Sequence, residues 1–133
     1  MFNWKVTSLV PDAAGWRGAF CQDGEEVELL VRDAGGEPSA SHLAAARDLA
    51  ANLDDLRRRM VDALEHEASV RGGLFPHPES GTWELLWIAL VDEDPARARA
   101  HFGFDGGDYA YIYVVYLVEL AGGEVTQVWA ETQ

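Results

Sequence analysis

Residues 41–68 read "SHLAAARDLAANLDDLRRRMVDALEHEA", and the period of their apolar positions decides the fold. At 100° per residue, Leu43, Ala46, Leu49, Ala50, Leu53, Leu56, Met60, Val61 and Leu64 fall within one arc about 140° wide, as a helix lying on a sheet requires. The opposite arc carries Arg47, Asp48, Asp55, Arg58, Arg59, Asp62, Glu65 and His66. Asp54 and Arg58, like Asp55 and Arg59, are spaced i,i+4 in the favourable acid-first order, so the charge run reads as a solvated helix face. Arg57 is the exception. It projects onto the apolar arc beside Leu53 and Val61, where it either snorkels to the rim or meets a carboxylate on the sheet.

Outward from this helix the period falls to two. On the N-terminal side, "RDAGGEPSAS" (32–41) is a linker that supplies the expected N-cap, Ser39 or Ser41. Before it, "FNWKV" (2–6) places Phe2, Trp4 and Val6 on one side. "PDAAG" (11–15) reads as a turn, and "WRGAFC" and "VELLV" flank Asp23-Gly24, a type I′ hairpin signal. Residues 2–32 are therefore expected to form a three-stranded antiparallel meander. On the C-terminal side, "RGGLFPHPESG" (71–81) reads as a loop. "WELLWIALV" (83–91) follows as a strand, with Trp83, Leu85 and Trp87 on one side and Leu86, Ile88 and Leu90 on the other. "PARARAHFG" (95–103) fits a short helix with Pro95 at its first position or a strand. The strand is preferred, because "DGGD" (105–108) then joins it to "YAYIYVVYLVEL" as a hairpin. The tight "AGGE" turn and "VTQVWAE" close a second meander.

These elements give β-β-β-α-β-β-β-β: a two-layer α+β fold, mainly antiparallel, with one long helix packed on one face of the sheet. The stretch "FGFDGGDYAYIYVVYLVEL" (102–120) then poses a question. Ala110, Ile112, Val114, Tyr116 and Val118 suit close packing under a helix. Tyr109, Tyr111, Tyr113, Val115 and Leu117 point to the other face, with Trp83, Trp87 and Trp129 as companions. Sheet curling, the 71–81 loop, a second copy or a partner must cover that face.

The chain has 133 residues, of which 48% are hydrophobic. That suits a single domain, residues 1–133, with enough apolar material for a core. No window reaches 18 apolar residues, and "MFNWKVTSLVPD" lacks the basic and apolar regions of a signal peptide. A cytoplasmic protein is expected. The single cysteine, Cys21, has no mate for a disulfide and reads as a small buried hydrophobe. A net charge of −13 repels nucleic acid and anionic membranes and favours a basic protein partner.

No phosphate loop, zinc motif, nucleophile elbow or dinucleotide fingerprint is present. His42, His66, His77 and His101 lie in separate segments and read as surface residues. The acidic loops "DEDP" (Asp92, Glu93, Asp94) and "DGGD" (Asp105, Asp108) could hold a hard cation only if the fold joined them. Turn chemistry accounts for "DGGD", and no metal or cofactor is expected. A hydrolase would need convergence, for example His101 beside Asp92 or Asp94 in a cleft lined by Tyr111 and Trp87. Aromatic anchors with acidic rims fit protein recognition better. The expected partner-binding residues are Trp83, Trp87, Asp92, Glu93, Asp94, Asp105, Asp108, Tyr111, Tyr113 and Trp129, and a homodimer through the aromatic face is the alternative.

The succession "GWRGAF…GEEVELLV", "ARDLAANLDDLRRRMVDAL" and "YVVYLVEL…GEVTQVWAE" resembles small acidic bacterial domains of unknown function that recur beside polymorphic toxins as immunity-type proteins. The resemblance implies an α+β fold, a cytoplasmic bacterial protein and binding to a basic toxin domain. It brings no catalytic residue with it.

Overall fold

The computed structural model describes residues 4–77, 81–106 and 114–132. Six strands precede the helices: β1 (Lys5–Val6), β2 (Val10–Asp12), β3 (Gly15–Gln22), β4 (Glu25–Val31), β5 (Asp33–Ala34) and β6 (Glu37–Pro38). Two helices follow, α1 (Ala40–Ala51) and α2 (Leu53–Val70), and then β7 (Gly81–Leu90), β8 (Arg97–Gly106), β9 (Val114–Ala121) and β10 (Glu124–Thr132). The fold is α+β. Its main sheet runs β1-β3-β4-β7-β8-β9-β10, with β2 also paired to β3. Every pairing is antiparallel except β4 with β7. That pair is joined by the helices, and such a crossover lets neighbouring strands run parallel.

The hairpin turns follow their residues. Asp23 and Gly24 (φ 41° and 86°) link β3 to β4, and Gly122 and Gly123 (φ 59° and 80°) link β9 to β10, the positive φ pair that type I′ geometry demands. Residues 97–106 form a strand. Ala98, Ala100, Phe102 and Phe104 are buried, while Arg97 and Arg99 are exposed. The expected 105–108 turn extends outside the described residues.

The helix is not continuous. It breaks at Asn52 (φ −126°, ψ 19°), whose side-chain Nδ2 donates to the Asp48 carbonyl at 3.3 Å. This local bond competes with the helical ladder, and the Asn52 N–H turns to the Leu49 carbonyl at 3.1 Å. A projection at constant 100° steps treats both halves as one arc and does not see this break. Ser39 is the N-cap, its hydroxyl accepting from the His42 N–H. α1 buries His42, Ala46 and Ala50; α2 buries Leu53, Leu56, Met60 and Leu64. The apolar ones pack with Phe20, Leu29, Ile88, Ala100, Phe102, Tyr116, Val118 and Leu120 from the sheet in one cluster. Burying each large aliphatic side chain contributes about 2 kcal/mol.

The first third is more broken than a three-stranded meander. Phe2 and Asn3 lie outside the described residues, and of the rest of "FNWKV" Lys5 and Val6 pair, opposite Cys21 and Phe20. Trp4 turns to α2 instead, where its indole Nε1 donates to Asp54 at 2.9 Å and the Arg57 guanidinium lies 5.4 Å from its ring. Pro11 and Asp12, expected to lie in a turn over 11–15, belong instead with Val10 to a strand paired with Gly15–Arg17. Gly15 (φ 145°) is required there, because a Cβ would run into the Val31 carbonyl oxygen. The 32–41 linker folds the small β5–β6 hairpin.

Val114, Tyr116 and Val118 lie buried on the helix side, as the alternation predicts. Tyr109, Ala110, Tyr111, Ile112 and Tyr113 lie outside the described residues. In β7 the alternation breaks, because the register against β8 slips between Leu85 and Trp87. This bulge leaves Trp83 facing the helices, edge-on to Phe104 and Tyr116 at 4.9 Å. It sends Leu86 over Gly103 and sets Trp87 opposite His101. Trp83 is therefore not a companion of Trp87 and Trp129. The described part of the 71–81 loop, residues 71–77, also serves the helix side, with Phe75 against Tyr116 at 5.4 Å.

Candidate functional site

Two surfaces bring candidate residues together. The first is the face of the sheet away from the helices. Pairing aligns Glu28, Trp87, His101, Leu117 and Trp129 in one row across β4, β7, β8, β9 and β10. Trp87 and His101 stack at 3.6 Å, and Arg99 lies over the Trp129 ring at 5.1 Å. Leu117 is only 2% exposed although it sits on this face. The face therefore covers much of itself with aromatic and guanidinium groups laid along the sheet. Leu86 beside it stays 41% exposed. Arg97 and Arg99 both reach Glu119, at 3.9 and 3.5 Å, and the Trp129 indole donates to Glu131 at 3.0 Å.

Burial pulls the His101 pKa from 6.5 down to about 4; the neighbouring Arg99 charge acts in the same direction, and Glu131 opposes it. Between those values the unfolded chain binds a proton that the folded chain refuses, so stability falls as pH falls from 6.5 to about 4. The thermal midpoint should drop across this window, and His101→Gln should flatten that part of the profile. An unchanged slope in the variant would assign the titration to another group.

The second surface is a cleft of about 590 Å³. β4 and β7 pair only through Glu28–Val31 and Trp87–Leu90. Their preceding halves diverge, each paired to its other neighbour, and α2 closes the gap. Glu25, Glu26, Asp54, Asp62 and Glu84 line this cleft with Arg57 and Arg58. Both arginines are already engaged. Arg57 binds Glu25 at 3.1 Å and Asp54 at 3.3 Å, so of the two alternatives open for it on the apolar arc it takes the carboxylate on the sheet. Arg58 pairs with Asp55, whose carboxyl is held below its usual range by that bond and by Arg59. Glu26, Asp62 and Glu84 have no cationic partner among the described residues. Trp83 also lines the cleft, and its buried indole Nε1 has no acceptor among the described residues.

The residues expected from sequence to form the partner surface divide among separate places. Trp87 and Trp129 share the open face, and Trp83 belongs to the cleft. Asp92, Glu93 and Asp94 are exposed in the loop before β8, where Asp92 accepts from the Asp94 N–H and Asp94 from the Ala96 N–H, both at 2.9 Å. Asp105 is at the far end of β8, roughly 25 Å along the strand from that loop. The two acidic loops are thus not brought together at these residues. Asp108, Tyr111 and Tyr113 lie outside the described residues. His101 is not beside Asp92 or Asp94 either, since it sits about 13 Å along β8 from Arg97, the residue whose N–H bonds the Asp94 carbonyl. Among the described residues no group of three or more His, Cys, Asp or Glu side chains could hold a metal ion, and no helix is long and apolar enough to cross a membrane.

Glu26, Asp62 and Glu84 were not among the expected site residues. A signal for the cleft existed in "GEEVE": adjacent strand residues point to opposite faces, so one of Glu25 and Glu26 had to turn toward the helix, and it is Glu25 that binds Arg57 of α2. His42 also departs from expectation. It is 3% exposed, with Nδ1 2.6 Å from the Ser39 hydroxyl and Nε2 2.6 Å from the Asp92 carbonyl. No family model, curated protein or solved structure matches this chain.

Proposed function

We propose that this protein is a non-enzymatic recognition module that takes a basic protein partner at the cleft between α2 and the diverging halves of β4 and β7. The observation that carries this reading is charge: Glu26, Asp62 and Glu84 line a cleft whose two arginines are already paired. An arginine or lysine side chain entering there would neutralise carboxylates that the chain itself leaves uncompensated. The overall charge of −13 speeds the approach of such a partner. In its most specific form the reading is an immunity-type inhibitor that occludes a basic toxin domain.

The test uses an arginine- and lysine-rich peptide as probe, followed by NMR at the five tryptophan indole N–H groups. The Trp83 signal should shift most. The combined variant Glu26→Gln, Asp62→Asn, Glu84→Gln should bind on the order of tenfold more weakly, and high salt should weaken binding further. Equal shifts at all five indoles, with affinity unchanged in the variant, would leave only diffuse attraction and sink the cleft assignment.

A further inference from the structure

The two edges of the main sheet differ. One is divided into β1 and β2, two and three residues long, carrying Lys5, Pro11 and Asp12. Short strands, proline and charge are how sheets discourage pairing with another chain. The other edge is β10, nine residues with neither proline nor lysine. Its register shift falls between Val125 and Gln127, near its start, and leaves Gln127–Thr132 regular against β9. None of its residues is fully buried, whereas five of the eight in β9 are. Among the described residues no strand pairs with its outer side. A regular run of "QVWAET" with free backbone groups is a template for a further strand.

We propose that β10 pairs antiparallel with β10 of a second copy of this chain, about a two-fold axis at Trp129. The choice of occupant and register follows from side-chain complementarity. Centring on Trp129 keeps the pairing almost wholly within the regular segment. It sets Val128 opposite the partner's Ala130 and Glu131 opposite the partner's Gln127, an uncharged acceptor and donor. The two Glu131 carboxylates then stand about 13 Å apart along the strands, beyond the ~8 Å over which salt lets exposed charges interact. A centre at Glu131 would oppose the carboxylates directly, which destabilises a cross-strand pair. The Trp129 centre also continues the Trp87, His101, Leu117, Trp129 row into the same row of the second copy.

This dimer is independent of the basic-partner reading, and salt separates the two. Screening strengthens association between two chains that each carry −13 and weakens association with a basic partner. Sedimentation of the full chain over a concentration series, at low and high salt, is the experiment. A dimer favoured by salt is expected. Gln127, which is exposed, supplies the specific probe. Gln127→Glu places like charges opposite one another and should raise the dimer Kd roughly three- to tenfold, while Gln127→Lys should lower it by a similar factor. A monomer at every attainable concentration, or a dimer indifferent to both substitutions, overturns the proposal.

Discussion

Tyr116→Ala should cost about 4 kcal/mol of folding stability and lower the thermal midpoint by roughly 15 °C. The side chain is fully buried and joins three parts of the fold. It meets Trp83 of β7 edge-on at 4.9 Å. It packs on Phe75 of the loop after α2 at 5.4 Å. Its hydroxyl donates to the Leu74 carbonyl at 2.6 Å. Alanine would remove the ring, leave a cavity among aromatic neighbours and free the loop. Tyr116→Phe isolates the hydroxyl and should cost about 1.5 kcal/mol, since it removes the donor from a partly buried carbonyl. Urea unfolding of the two variants gives both numbers, provided the m-value is unchanged. An alanine cost below that expected for the phenylalanine variant would mean that the loop does not pack on this ring.

Particular residues show why some of this architecture was legible in the sequence and some was not. The period change at residue 40, the Asp23-Gly24 and Gly122-Gly123 turns and the alternation in β8 are local properties, fixed by backbone sterics and by which side chains can be buried together. The break at Asn52 is also local, yet periodicity is blind to it, because it depends on one amide group reaching the Asp48 carbonyl. The bulge at Leu86 matters more for the site. A slip of one residue exchanges faces, so Trp83 and Trp87, two positions that share a side in the sequence pattern, serve different surfaces. The cleft was harder still to foresee, since it exists only because β4 and β7, separated by about fifty residues of chain, pair over half their length. Acidic residues close in sequence drew attention to 92–94 and 105–108, whereas the uncompensated carboxylates come from β4, α2 and β7.

His42→Ala should destabilise the fold by about 3 kcal/mol, combining a small cavity with the loss of two hydrogen bonds. The ring joins the start of α1 to the loop between β7 and β8, through Ser39 on one side and the Asp92 carbonyl on the other. Ser39 is itself buried and caps α1, so removing the imidazole leaves the hydroxyl to its longer contact with Ser41 at 3.3 Å. The two bonds can be apportioned by isosteric halves. Asparagine places its terminal polar atom where Nδ1 stands, and glutamine places one where Nε2 stands. His42→Asn should therefore retain the Ser39 contact and His42→Gln the Asp92 contact, each recovering about 1 kcal/mol of the alanine loss. Recovery by glutamine alone would assign the stabilisation to anchoring the "DEDP" loop, and recovery by asparagine alone would assign it to the cap of α1. No recovery by either would refute hydrogen bonding as the source and leave packing of the ring. If glutamine recovers stability, the loop before β8 is held as a structural tie to α1, with the Asp92 and Asp94 carboxylates already committed to backbone N–H groups within it.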